Sequence, residues 1–269
     1  IRYMRIETSH ESPISILDNS LTYNDYCYAL VHLFETHEQY FDFFKRARSN
    51  NVEVYLDNSI FELKESFDAD KYAEWIEKLQ PNLYIVPDVL ENGAATVDKW
   101  INWEKDHQFK GIRQMGVVQG KSWTELVECY KFMSQAADMI AISFDYSYYQ
   151  GTGYGHDKLT RYSSGRQRFI EQLIHDNIWN WNKPHHLLGC SLAREFRWYV
   201  DNNIHNIRSV DTSNPVVAAM HGLQYNDDHG LDEKPSALLA DMIEHDMTDD
   251  QMELVKYNTQ MFKKILRRT

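Results

Sequence analysis

Apolar and polar positions follow two periods along this chain. Short runs dominated by apolar residues, VEVYL (52–56), LYIVP (83–87), MGVV (115–118), IAISF (140–144), HHLL (185–188) and IRSV (207–210), have the length and near-continuity of strands buried on both faces. Between them lie stretches with apolar residues at helical spacing: 36–48, 67–80, 92–108, 122–137, 165–181 and 192–203. CYALVHLF (27–34) reads as one more strand at the start of the series. Asp68 is placed to cap the second helix, Pro81 punctuates it, and Ser122 with Glu125 has the spacing of a capping box. The repeat is close to 30 residues, as expected for parallel βα units. Seven strands are visible, and MRIETS or ISIL near the N-terminus would supply an eighth. The pattern predicts an α/β fold, a (β/α)8 TIM-type barrel in a single domain over 1–269. Its core lies at about 27–222, with a C-terminal helical extension at about 234–268 built from two helices, 235–245 and 248–267. An open doubly wound sheet has the same periodicity.

Each run stops at a residue able to do chemistry: Asp57, Asp88, Gln119, Asp145, Gly189 with Cys190, and Asp211. In a barrel of parallel strands the carboxyl ends share one face, and that face carries the catalytic groups. Any one of these acids could instead serve locally: Asp57 as a turn residue in DNS, Asp211 as the cap of a helix starting near Pro215.

Composition narrows the partners. Twenty-eight basic residues against 40 acidic ones give a net charge of −12, which disfavours a general nucleic-acid coat but leaves room for local recognition. Arg161, Arg166 and Arg168 gather in RYSSGRQR, Arg194 and Arg197 follow, and the tail KKILRRT reads as the solvated end of the last helix. Cys27, Cys129 and Cys190 are odd in number and scattered, so reduced thiols are expected rather than a disulfide framework. His185 and His186 have no ligand spacing around them and read as strand-start residues, so neither a metal nor a cofactor is expected. No apolar stretch reaches membrane-spanning length and the N-terminus lacks a signal-peptide core, so a soluble, cytoplasmic protein is expected. The segment 146–157 (YSYYQGTGYGHD) is rich in Tyr and Gly without a dinucleotide fingerprint. It is either a lid whose tyrosines stack on a planar substrate or an ordinary long loop.

Taken in order, LDNSIFEL (56–63), VPDVL (86–90), MGVVQGKS (115–122), HHLLGCS (185–191) and SVDTSNPVVAAMHG (209–222) resemble the motifs of the tRNA-guanine transglycosylase superfamily over roughly residues 50 to 222. Its members carry a DSGGFQ-like segment, a later base-binding Asp, VVQGG, a Leu-Met-Gly strand and an FDCV-x-P-type nucleophile segment. Here Asn58 and Ser59 stand for Ser-Gly, Ile60 for Gly and Lys121 for the second Gly of VVQGG. The CxCxxC…H zinc site of the tRNA-acting members has no counterpart. The likeness is therefore to the shorter phage or bacterial relatives that exchange a base in DNA for a 7-deazaguanine, or remove it, in a bacterial or phage-infected cell.

That resemblance implies a set of roles. Asp211 would be the nucleophile at C1′ of the nucleoside, suited to an oxocarbenium-like transition state. Asp57 would protonate the leaving base and deprotonate the incoming one. Asp88 and Gln119 would read the Watson–Crick edge of a guanine-like base. Ser143, Phe144, Leu188 and Gly189 would wall the pocket, with Asp145 as an added contact. Tyr146, Tyr154, Arg161, Arg166 and Arg194 are the candidate contacts to a nucleic acid, DNA rather than tRNA, whose base would be extruded into the site. The other partner would be a free purine-like or 7-deazaguanine base. Hydrolysis of a free nucleoside or nucleotide, and a catalytically silent binding barrel, are the alternatives.

Overall fold

The computed structural model describes residues 5–232, 235 and 237–267. Its strands are β1 (Glu7–Ser9), β2 (Cys27–Leu30), β3 (Val54–Asp57), β4 (Leu83–Ile85), β5 (Arg113–Val118), β6 (Met139–Ser143), β7 (His185–Leu188) and β8 (Ile207–Asp211). The helices are α1 (Leu17–Ser20), α2 (Glu38–Ser49), α3 (Ile60–Leu63), α4 (Ala69–Leu79), α5 (Gly93–Asp106), α6 (Trp123–Ala136), α7 (Ser147–Thr152), α8 (Lys158–His175), α9 (Arg194–Asp201), α10 (Asn214–Met220) and α11 (Asp249–Leu266). The strands lie in the order β1-β8-β7-β6-β5-β4-β3-β2 and form a nearly closed parallel barrel with helices between them, a (β/α)8 TIM-type fold with C-terminal helices. Of the two N-terminal segments offered as the missing strand, MRIETS supplies it and ISIL turns into a 3-10 turn leading to α1.

The chain gathers into two compact units. One is the unbroken stretch Tyr26–Ile142; the other joins the residues up to Asp25 to those from Ser143 onward. In the first, β2 is buried at every position and Tyr55, Leu56, Leu83, Met115 and Ile140 are fully enclosed. Helix starts there are set by side chains that accept from otherwise unpaired backbone N–H groups: Asp68 from Lys71, Asn92 from Ala95 and Ser122 from Glu125. The reciprocal half of the box expected at Ser122 does not form. The Glu125 carboxylate accepts instead from Gly93 N–H at 2.8 Å and Lys121 N–H at 3.0 Å, tying α5 to the start of α6.

In the second unit α10 and α11 pack on a cluster of Ile16, Tyr23, Val216, Val217, Ala219, Leu239 and Val255. Thr248 and Gln251 make the capping box at the head of α11.

Five further expectations need correcting. The strand predicted over 27–34 stops at Leu30, because Val31–Phe34 wind into a 3-10 turn. Of the helix predicted over 235–245, the described residues form only a turn at Leu239–Met242. The helix predicted from Gly165 begins at Lys158, because Asp157 caps it by accepting from Thr160 N–H. The segment 146–157 is no open loop: α7 fills its middle, Tyr149 is enclosed, and Gly165 of α8 lies so close that an added Cβ would meet Tyr149 Cβ at 2.3 Å. The basic tail is not simply solvated, since Lys263 and Arg267 both pair with Asp25, at 3.4 and 2.6 Å. Residues 1–4 of the N-terminal reading, Lys234 and Ser236 of the extension, and Arg268 and Thr269 of the tail lie outside the described residues.

Candidate functional site

In the Tyr26–Ile142 unit a polar chain runs across three strand ends. Asp57, the last residue of β3, accepts from Ser59 N–H at 2.7 Å through Oδ1 and from the Tyr28 hydroxyl of β2 through Oδ2. The turn reading of Asp57 is thus correct as far as one oxygen goes. Ser59 adopts φ +63, a left-handed conformation that costs a non-glycine residue about 1–2 kcal/mol. It is held there by Asp57 and by its own hydroxyl, 2.8 Å from His32 Nδ1. Ser59 is one of the departures from the Gly-bearing motif, and its backbone still takes the shape glycine prefers.

Asn58 Nδ2 donates to Asp88 Oδ1 at 2.7 Å, Gln119 Nε2 donates to Asp88 Oδ2 at 2.8 Å, and Glu91 N–H donates to Gln119 Oε1 at 2.8 Å. All three side chains are buried. Burial raises the Asp88 pKa, with the Gln119 and Asn58 hydrogen bonds working against that shift. The two amides give Asp88 donors of the kind a guanine edge would offer. Any further donor approaching Asp88 therefore has to displace them or share the remaining lone pairs.

The second unit holds the other cluster. Asp211 closes β8 and its neighbour across the ladder is Leu188 of β7. Its Oδ1 lies 2.7 Å from His186 Nε2 and accepts from Gly189 N–H at 3.4 Å, while Oδ2 has no hydrogen-bond partner among the described residues. The alternative in which Asp211 caps the next helix is corrected: Ser213 occupies the cap position of α10 and Pro215 its first turn. His186 Nδ1 faces Ser209 Oγ at 2.7 Å. His186 stands at the start of β7, as expected. It is fully buried in β7, and a bulge in the ladder, which pairs His185 with Ile207 but His186 with Ser209, puts the exposed Arg208 outside the register and Ser209 opposite His186.

The residues expected to wall a pocket also lie in this unit. Gly189 has φ +71, and a Cβ on it would meet Phe144 Cδ1 at 2.3 Å. Ser143 Oγ donates to Asp145 Oδ1 at 3.1 Å. Arg166, expected to touch phosphate, is instead fully buried: its guanidinium donates to both oxygens of Glu195, at 2.8 and 2.9 Å, and to the carbonyls of Leu188 and Gly189, at 2.9 and 3.1 Å. Burial opposes its charge, but Glu195 more than compensates and raises its pKa. Tyr146 is corrected likewise, being enclosed with its hydroxyl directed at Ser143 N–H. Tyr154, Arg161 and Arg194 are exposed; Arg161 donates to Gly155 O and Arg194 to Thr160 Oγ1.

Among the described residues no three His, Cys, Asp or Glu side chains are grouped to hold a metal ion, and no helix is long and apolar enough to cross a membrane. No protein-family model and no curated protein matched the chain.

Proposed function

We propose that this protein cleaves the N-glycosidic bond of a guanine-like base in a nucleic acid, DNA rather than tRNA, with Asp211 as the nucleophile. The cleavage is followed by exchange for a 7-deazaguanine or by removal of the base. The activity is that of a pentosyl transferase of the base-exchange type, or of a DNA glycosylase.

The observation that carries this reading is the condition of Asp211. A nearly buried carboxylate at a strand carboxyl end is oriented through one oxygen by His186 and Gly189 N–H, and its other oxygen is unengaged among the described residues. That is the state a carboxylate nucleophile needs. In the first step the C1′–N bond breaks with its electron pair leaving on the base, Asp57 protonates that base, and C1′ bonds to Asp211 Oδ2. In the second, an incoming base nitrogen or a water oxygen takes C1′, its proton passes to Asp57, and the carboxylate is released. Asp88 and Gln119 hold the base edge once their mutual hydrogen bond opens.

Base release and protein adducts, followed by mass spectrometry on DNA and tRNA with and without free 7-deazaguanine bases, test the reading. Wild-type protein is expected to release or exchange base, and Asp211→Ala to lose that activity by a factor on the order of 10⁴ or more. Absence of release and adduct with every polymer would overturn it.

A second reading has its own support. Arg166 and Tyr146 are enclosed, so fewer of the expected phosphate and stacking contacts are presented, on a chain of net charge −12. That favours a free nucleoside or nucleotide as substrate. Including both in the same assay distinguishes the two.

A further inference from the structure

Transfer through a carboxylate places opposite demands on it in its two steps. It must attack C1′ first and then leave it. Hydrogen-bond donors on the carboxylate oppose the first demand and serve the second, because they stabilise the free anion.

Among the described residues Asp211 has such donors on one oxygen only. An ionised carboxylate can only accept, so the contact with Asp211 Oδ1 requires the proton on His186 Nε2. In the neutral ring Nδ1 then accepts from the Ser209 hydroxyl. This chain of hydroxyl, imidazole and carboxylate runs opposite to that of a serine hydrolase. Its hydroxyl end is sealed, with Ser209 and His186 both 0% exposed, and its carboxylate end is the one that reaches out, with the Asp211 side chain 10% exposed. Ser209 is therefore unavailable as a nucleophile, and the network serves Asp211.

We infer that His186 is a positioning residue for the second half-reaction. It fixes Oδ1 so that Oδ2 meets C1′, and its Nε2–H makes the Asp211 carboxylate a better leaving group when the C1′–Oδ2 ester opens. The inference rests on the glycosidic-bond reading. In the step it governs, the C1′–Oδ2 electron pair returns to Asp211 while the incoming nitrogen or water oxygen bonds to C1′. The charge regained by the carboxylate is then met by the His186 and Gly189 donors.

The test compares wild type, His186→Leu, which removes the donor, and His186→Gln, whose amide N–H can replace it. Each is mixed with the oligonucleotide that wild type processes, with and without free base, and quenched over time. Intact-protein mass gives the covalent adduct, and base release gives turnover. Expected for His186→Leu is accumulation of adduct, with ester opening slowed about tenfold or more relative to its formation; His186→Gln should return the partition toward wild type. An unchanged partition in His186→Leu, or a parallel loss of both steps that His186→Gln fails to relieve, would overturn the inference while leaving the glycosidic-bond reading intact. A wild-type protein that forms no adduct and releases no base would overturn both.

Discussion

Gly189 meets three demands at one position. Its φ of +71 disfavours an L side chain, the Phe144 ring occupies the space a Cβ would need, and its N–H points at Asp211 Oδ1. Gly189→Ala is expected to cost about 2–3 kcal/mol from the left-handed backbone and the overpacking together, read as a lowered denaturation midpoint. Trimming the obstructing ring in Gly189→Ala/Phe144→Leu should recover part of that loss, and strictly additive effects would show that the two residues do not share the space. Gly189 was legible in the sequence as the residue after HHLL, but its ring neighbour was not. His186 was less legible still. Two adjacent histidines at the start of a strand should face opposite sides, and it is the bulge at Arg208 that brings Ser209 opposite the second one.

Among the elements, β7, α8 and α9 are fastened by one buried ion pair. Arg166 of α8 binds Glu195 of α9 and the last carbonyls of β7, and Tyr199 adds its hydroxyl to Glu195. Arg166→Met would strand the Glu195 carboxylate without a cation, at a cost of about 3–5 kcal/mol measurable by chemical denaturation. The double substitution Arg166→Met/Glu195→Gln should be less damaging than the single one. Strand ends and helix caps were readable because a strand terminus exposes chemistry and a cap needs a particular side chain, as at Asp68, Ser122 and Asp57. Arg166 departs from its expected phosphate contact for a physical reason. Sequence shows an arginine in a basic run, but not that position 195 on another helix supplies a buried acid to it. The short turns at Val31–Phe34 and Leu239–Met242 escaped for a related reason, since four apolar or mixed residues fit a strand end, a turn or a helix equally well.

For the whole molecule, pH dependence follows from two enclosed imidazoles. Burial lowers His185 to about 3, and burial with the nearby Lys263 charge lowers His10 to about 3, both from 6.5. Each therefore binds a proton more readily unfolded than folded, so their contribution to stability is intact above about pH 6.5 and is lost as the pH falls toward 3. Thermal melts between pH 7 and pH 4 should show the transition falling. Trp179, stacked on His185 at 3.7 Å, supplies a fluorescence signal, and His185→Gln should flatten the dependence. A slope unchanged by that substitution would assign the acid lability elsewhere.

The pairing of β1 with β8 also orders events during synthesis. Glu7–Ser9 finds its ladder partner roughly two hundred residues further along, at Ser209–Asp211, whereas Tyr26–Ile142 is a continuous unit that can close as it leaves the ribosome. At roughly 5–20 residues per second, β8 follows β6 by about three seconds or more, and the Asp25 anchor of Lys263 and Arg267 comes later still. Throughout that wait the early strand has no mate. At three residues it presents little naked edge for a stray chain to adopt.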